Sequence, residues 1–168
     1  SWASVIMRKI KLTQGKFAIV DDEDYERINQ FKWYYDKGRA RRNIPASEND
    51  GKRTFYYMHW GIIGKPENDL EVDHINQNSI DNRKENLRFA THAENTRNAK
   101  LREDNTSGIR GVGFHEYSGL WYAQISIDGA SKRIGYFKEK IDAIKAYNNA
   151  AIEYYGEFAQ LNEIIQEK

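Results

Sequence analysis

The sequence predicts an α+β protein with two domains, and three observations lead to this prediction. Short alternations of apolar and polar residues, separated by turn dipeptides, recur in both halves of the chain and are typical of antiparallel strands. Residues 138–155 carry one apolar stripe at helical spacing. Residues 101–107 are polar and lack apolar periodicity, which indicates a linker between a domain at 7–100 and a domain at 108–163.

The first domain opens with a predicted hairpin and helix. Ile10 and Leu12 alternate with lysines, and the turn dipeptide Gln14-Gly15 separates this strand from a second one ending at Val20. Residues 21–31 carry apolar side chains at helical spacing, and their acidic residues crowd the first turn, where the helix dipole favours them.

A long basic hairpin is predicted next, at residues 32–60, with residues 53–60 as its returning strand and residues 61–66 as a turn-rich connector. One interpretation is a β-ribbon laid against a phosphate backbone. The other is a solvated sheet edge on which cations prevent aggregation. The sequence that follows favours DNA contact, and the candidate side chains are Arg39, Arg41, Arg42 and Arg53.

Composition excludes several kinds of site. The chain has no cysteine, so a metal would be held by His, Asp, Glu, Asn or backbone oxygen, which favours Mg²⁺. No apolar run approaches the roughly 18 residues that span a bilayer, and no signal-peptide pattern is visible. We therefore expect an intracellular, cytoplasmic protein without a membrane partner. The net charge of +1 hides a segregation of acidic residues at 21–26 from basic residues at 37–53.

The pair Asp73-His74 follows a predicted strand at residues 70–72, which we expect to pair with residues 53–60. Adjacent strand residues point to opposite sides, so the carboxylate can hold a cation while the imidazole faces a water molecule. A neutral imidazole needs an acceptor for its other ring nitrogen. The side-chain oxygen of Asn86 or a backbone carbonyl meets that need.

A second metal ligand is expected on a short helix that begins between Asn86 and Ala90. Asn95 and His92 are three residues apart on one face of this helix, and both remain candidates. By itself, an Asp-His dipeptide carries little information, and an Asn-rich run indicates turns. The combined spacing is far more specific.

These residues resemble the His-Asn-His (HNH) nucleases with the ββα-metal fold, in the branch that includes homing endonucleases of introns and phages. The resemblance covers residues 8–100. It is carried by Val72-Asp73-His74-Ile75-Asn76, Asp81-Asn82, Asn86-Leu87-Arg88-Phe89-Ala90-Thr91 and Asn95.

The resemblance implies a role for each matching residue. His74 would be the general base, Asp73 a metal ligand, and Asn86 the residue that holds the loop and orients the His74 ring. Asn95 stands where the family often has its last His and would be the second ligand, with His92 as the alternative. An amide oxygen favours one divalent cation of the Mg²⁺ or Mn²⁺ kind over Zn²⁺.

Two further residues have roles by position in this resemblance. Arg88 is a candidate DNA contact within the matching segment. His59 would touch a phosphate or brace the site, and the alternative is a structural histidine.

The second domain is predicted to contain strands at 109–114, 119–127 and 132–137 followed by a helix at 138–155. Its residues resemble the ethylene-response-factor (APETALA-type) DNA-binding domain, a small three-stranded antiparallel sheet with one helix. Arg110-Gly111-Val112, Trp121, Lys132-Arg133 and Leu161-Asn162 carry the match. It implies duplex DNA contacts by Arg110, Trp121, Lys132 and Arg133, with a core position for Trp121 as the less favoured alternative.

Together the resemblances imply a metal-dependent, homing-type endonuclease that cuts duplex DNA at a specific site, in the host cell of a phage or mobile intron. A monomer is expected because no coiled coil or apolar dimer stripe is visible. The alternatives are a non-catalytic DNA-binding regulator with a decayed nuclease domain and, less favoured, an RNA-directed nuclease.

Overall fold

The computed structural model describes residues 6–101, 105 and 107–164, and the fold is α+β. The chain divides into two compact units, Ser1–His92 and Ala93–Lys168. The division precedes the predicted linker at 101–107, of which residues 102–104 and 106 lie outside the described part. Within that described part, no helix combines the length and apolar character needed to cross a membrane.

The first unit begins with the predicted hairpin. Strand β1 (Met7–Lys11) pairs antiparallel with β2 (Phe17–Asp21), and Gln14 and Gly15 make the turn with φ of 61° and 67°. Helix α1 (Asp22–Asn29) follows, with three acidic residues in its first turn. Its buried Ile28 packs into the core with side chains from both strands.

A three-stranded sheet follows, in the order β3 (Tyr34–Asp36), β4 (Arg39–Ile44) and β5 (Thr54–Tyr57). The predicted returning strand is too long, because helix α2 (Met58–Ile63) begins directly after Tyr57. Met58 and Ile62, four residues apart, are both buried in the core, and this burial stabilises a helical turn. Gly64, with φ of 93°, ends the helix.

Strand β6 (Glu71–His74) pairs antiparallel with β7 (Leu87–Ala90), and α3 (His92–Asn98) follows. The predicted pairing of residues 70–74 with residues 53–60 is wrong, since β5 pairs with β4. The predicted helix also begins later, because residues 87–90 complete a strand ladder. Four residues are too few for periodicity to distinguish strand from helix, and the buried backbone of β6 requires a hydrogen-bonding partner.

The second unit contains the predicted three strands and helix. The sheet order is β10 (Ala130–Phe137), β9 (Leu120–Ile127) and β8 (Val112–His115), and α4 (Lys140–Tyr155) packs on one face. Gly111 is required where the chain enters β8. Its φ is 66°, and a Cβ there would lie 2.3 Å from the Tyr147 ring.

Candidate functional site

The loop between β6 and β7 is closed by hydrogen bonds among its own polar side chains. The Asn86 side-chain oxygen accepts from the Asn76 backbone N–H at 2.9 Å, and its Nδ2 donates to the Asp81 carbonyl at 2.8 Å. Asn76 Nδ2 also donates to the Asp81 carboxylate at 2.8 Å. Asn86 is buried, and its two hydrogen bonds to backbone groups connect the two ends of the loop.

Strand β2 anchors the same loop from outside. Ile19 N–H donates to the Ile80 carbonyl at 2.8 Å, and Asn82 N–H donates to the Ile19 carbonyl at 2.7 Å. Arg83 donates to both oxygens of the Asp81 carboxylate, at 2.8 Å and 2.7 Å. Burial alone would raise the pKa of Asp81, but these bonds and the Arg83 charge outweigh it and hold the pKa below its usual value. Asp81 is therefore an anionic anchor of the loop.

His74 ends β6 and is 8% exposed. Its Nε2 lies 3.0 Å from the side-chain oxygen of Asn82. From the sequence we expected Asn86 or a backbone carbonyl to make this contact, whereas the structure places Asn82 there and Asn86 closes the loop. Asp81-Asn82 belongs to the motif that carries the resemblance, yet its position in the sequence did not distinguish Asn82 from the other asparagines as the partner of His74.

Burial lowers the pKa of His74, and the nearby Arg39 charge lowers it further. The hydrogen bond that the His74 ring makes to the Asn82 side-chain oxygen and the charges of Asp73 and Asp81 act in the opposite direction without reversing the shift. The ordinary pKa is 6.5, so the imidazole is mainly neutral at pH 7 and able to accept a proton.

His59, on α2, lies beside His74. The two ring centroids are 5.3 Å apart, and the His59 ring stacks on Tyr57 at 5.1 Å. Burial, the neighbouring His74 and the Arg39 charge lower the pKa of His59 to about 3. A neutral ring that is 4% exposed is better suited to bracing the His74 ring than to contacting a phosphate.

Asp73 is 3% exposed and faces a different partner. It lies directly opposite Arg88 in the β6–β7 ladder, and Arg88 Nε donates to its carboxylate at 2.7 Å. The Arg88 side chain is 13% exposed. This arginine therefore holds the carboxylate in place, and a DNA contact by Arg88 remains a prediction.

The donor chemistry near Asp73 fits a hard cation such as Mg²⁺, which takes one or two protein oxygens and keeps several waters. Within the described ranges, no group of three or more His, Cys, Asp or Glu side chains is arranged to hold a metal. His92 Nδ1 lies 2.9 Å from the Glu71 carboxylate, while Asn95 belongs to the second unit. His92 and Asn95 both stay predictions as the second ligand.

The predicted basic ribbon has two faces. Arg39 and Arg41 lie on the face of the sheet that carries Tyr57, with the Arg39 guanidinium 5.6 Å from the centre of the Tyr57 ring. Because the Arg39 charge lowers the pKa of both His59 and His74, this face extends towards the His74 side chain.

Arg42 lies on the other face, 4.0 Å from the centre of the Phe31 ring, so it does not join Arg39 and Arg41. A groove of about 680 Å³ lies at the β4–β5 end of the sheet, and its lining includes Arg41, Arg53 and Phe55. The structure therefore brings Arg41 and Arg53 together at one groove.

In the second unit, Arg133 and two tyrosines share the outer face of the sheet. The Arg133 guanidinium lies 3.9 Å from the centre of the Tyr122 ring and 5.2 Å from that of Tyr136. Trp121 packs instead against the core on the helix side, and Lys132 donates to the Tyr154 hydroxyl of α4 at 3.3 Å. Arg133 therefore lies on the face of the sheet opposite to Trp121 and Lys132, and DNA contacts by these three residues stay a prediction.

Hydrogen bonds fix Arg110 just before the first strand of the second unit. Its backbone N–H and carbonyl bond the Asn162 side chain at 2.8 Å and 2.9 Å. Its Nη2 donates to the Ala99 carbonyl at 2.6 Å. A role for Arg110 in DNA binding remains a prediction.

The candidate site is thus a buried Asp-His pair at the end of a strand, an asparagine-closed loop and a returning strand. Comparisons with known proteins give its class, since residues 53–97 match the family model described as HNH endonuclease. The matched segment contains Asp73, His74, Asn86 and Asn95.

The chain is also similar to two viral proteins. It is 31% identical over 153 residues to an uncharacterized HNH endonuclease of Acanthamoeba polyphaga mimivirus, covering 90% of this chain and 77% of that protein. It is 26% identical over 89 residues to Protein 3.8 of Escherichia phage T7, covering 53% of this chain and 73% of that protein. The chain belongs to the HNH endonuclease family, whose nucleases generally depend on a divalent metal.

Proposed function

We propose that this nuclease is a metal-dependent endonuclease that hydrolyses phosphodiester bonds in duplex DNA, with His74 as the general base. The observation that carries this proposal is the state of His74. The imidazole is buried at a strand end, its pKa is lowered, and one ring nitrogen is held by a neighbouring amide. It therefore accepts a proton at neutral pH without being protonated beforehand.

The chemical step follows from this arrangement. The His74 imidazole takes a proton from a water molecule, whose oxygen attacks phosphorus as the bond to the 3′ oxygen breaks. When bound, a divalent cation, Mg²⁺ or Mn²⁺, supplies Lewis-acid stabilisation of the phosphate and the leaving oxygen. The Asp73 carboxylate would hold it, with Asn95 or His92 as the second ligand.

We assign DNA binding to two surfaces, one in each unit. In the first unit, the Arg39 charge reaches His74, and Arg41 and Arg53 line the groove at the end of the same sheet, which suits a phosphate backbone. In the second unit, the Arg133 guanidinium lies 3.9 Å from the centre of the Tyr122 ring, and a planar guanidinium suits bidentate contact with guanine. We assign the second unit to anchoring the enzyme at a specific site, as in homing endonucleases.

The test is plasmid nicking with Mg²⁺ by the wild type and by His74→Ala. General-base catalysis contributes roughly 10²- to 10⁴-fold, so the variant is expected to lose activity by that factor. His115→Ala, at an exposed histidine of the second unit, is the matched control and is expected to cut normally. Full activity of His74→Ala would overturn the assignment of the base. Tight DNA binding without nicking by the wild type in Mg²⁺, Mn²⁺ and Ni²⁺ would favour a non-catalytic regulator.

We also propose that the enzyme acts as a monomer, so that the His74 site cuts one strand at each encounter. Light scattering of the protein on its own and on DNA tests this state. A dimer on DNA together with double-strand products would contradict it.

A further inference from the structure

Asn82 makes the hydrogen bond that reaches the proposed base. Its side-chain oxygen lies 3.0 Å from His74 Nε2, and the two residues are 1% and 8% exposed. We propose that Asn82 is a positioning residue that keeps the His74 imidazole in the form whose Nδ1 accepts the proton from water. This inference rests on the proposed function, because it specifies which atom of His74 is the base.

The chemistry of the contact determines the tautomer. An amide oxygen has lone pairs and no hydrogen, so the ring nitrogen facing it must donate. A neutral imidazole carries one N–H, and when that N–H is on Nε2 the lone pair is on Nδ1. Asn82 therefore favours the neutral form of His74 that presents Nδ1 as acceptor.

The position of Asn82 is set by other parts of the fold. Its backbone N–H donates to the Ile19 carbonyl of β2 at 2.7 Å. The preceding residue, Asp81, is held by two bonds from Arg83 and one from Asn76. Because the backbone at Asn82 is fixed in this way, its side-chain oxygen lies at a defined position, which is what orienting the His74 ring requires.

Asn82 also carries a cost that folding alone does not explain. Within the part of the chain that the structure describes, its buried Nδ2 has no hydrogen-bond partner. A buried donor left unsatisfied is unfavourable, and an apolar side chain of similar size would avoid this loss. The amide is thus better explained by its contact with His74 than by stability, and Asn82→Leu is expected to fold.

The direct test is ¹⁵N NMR of histidine-labelled, metal-free protein, in which ring-nitrogen shifts and couplings report the tautomer of His74. The wild type is expected to carry its hydrogen on Nε2. Asn82→Asp retains an acceptor oxygen and is expected to keep that tautomer, whereas Asn82→Leu is expected to lose the preference. Asn78→Ala, in an exposed part of the same loop, is the matched control.

Plasmid nicking with Mg²⁺ gives the second readout. Asn82→Leu is expected to lower kcat by roughly 10- to 100-fold, the range found when hydrogen-bond partners that orient metal-bound histidines are removed. Asn82→Asp is expected to retain more activity than Asn82→Leu, and Asn78→Ala to match the wild type. A thermal melt of each variant separates these effects from loss of fold.

The outcomes distinguish this inference from the proposed function. A folded Asn82→Leu with the wild-type tautomer and rate, beside an inactive His74→Ala, would overturn the role of Asn82 and leave the general base in place. Full activity of His74→Ala would overturn the proposed function itself. If Asn82→Leu fails to fold, Asn82→Asp decides, because a neutral His74 ring whose only hydrogen is on Nδ1 in that folded variant would contradict the inference.

Discussion

The buried His59 makes the stability of the first unit depend on pH. Its pKa is lowered from 6.5 to about 3 in the folded protein, because burial and neighbouring positive charge disfavour the imidazolium. Between these two values the unfolded chain binds a proton that the folded chain does not. The contribution of His59 is therefore fully present above pH 6.5 and is lost as pH falls towards 3.

The magnitude follows from the shift. Each pH unit below 6.5 costs about 1.4 kcal/mol for one proton, so moving from pH 7 to pH 5 removes about 2 kcal/mol of unfolding free energy through His59. His59→Phe retains an aromatic ring beside Tyr57 but removes the titration. We expect its unfolding free energy to fall by about 2 kcal/mol less than that of the wild type over this interval.

Urea unfolding followed by NMR at the backbone amides of β1 and β2 measures this difference within the first unit. The matched control is His115→Ala, which removes an exposed histidine of the second unit and should leave the pH dependence unchanged. The reasoning is refuted if wild type and His59→Phe lose the same free energy between pH 7 and pH 5.

Three further predictions concern the loop, the base and the second sheet. As pH falls, kcat/KM is expected to decrease with a midpoint below pH 6.5, because a base of lowered pKa stays neutral to lower pH. A pH–rate profile with its midpoint above 6.5 would contradict the lowered pKa of His74. Asn86→Ala leaves two backbone groups of the loop without their partner, so it should lower the unfolding free energy of the first unit by about 1–3 kcal/mol. Urea unfolding measures this change, and an unchanged midpoint would contradict it. Arg133→Ala should weaken DNA binding, measured by fluorescence anisotropy at fixed salt, whereas Lys132→Ala, on the helix side of the sheet, should not. Equal losses of affinity would contradict DNA binding by the sheet face that carries Arg133.

Local pattern was sufficient for the elements whose signals lie close together in the chain. The first hairpin, α1 and the three strands and helix of the second unit follow from alternation, turn dipeptides and helical spacing. Pattern was insufficient for α2 and β7. Each is only a few residues long, and its conformation is stabilised by burial or pairing against chain that is distant in sequence.

Residue identity and spacing were sufficient to recognise the family, because Asp73 and His74 and their distances along the chain to Asn86 and Asn95 carried the resemblance. The partners of these side chains followed only from the folded structure. Asn82 reaches His74 because its backbone pairs with Ile19, which lies more than sixty positions earlier in the chain. Hydrogen-bond partners depend on the path of the folded chain, and several asparagines of the same chemistry cannot be distinguished until that path is known.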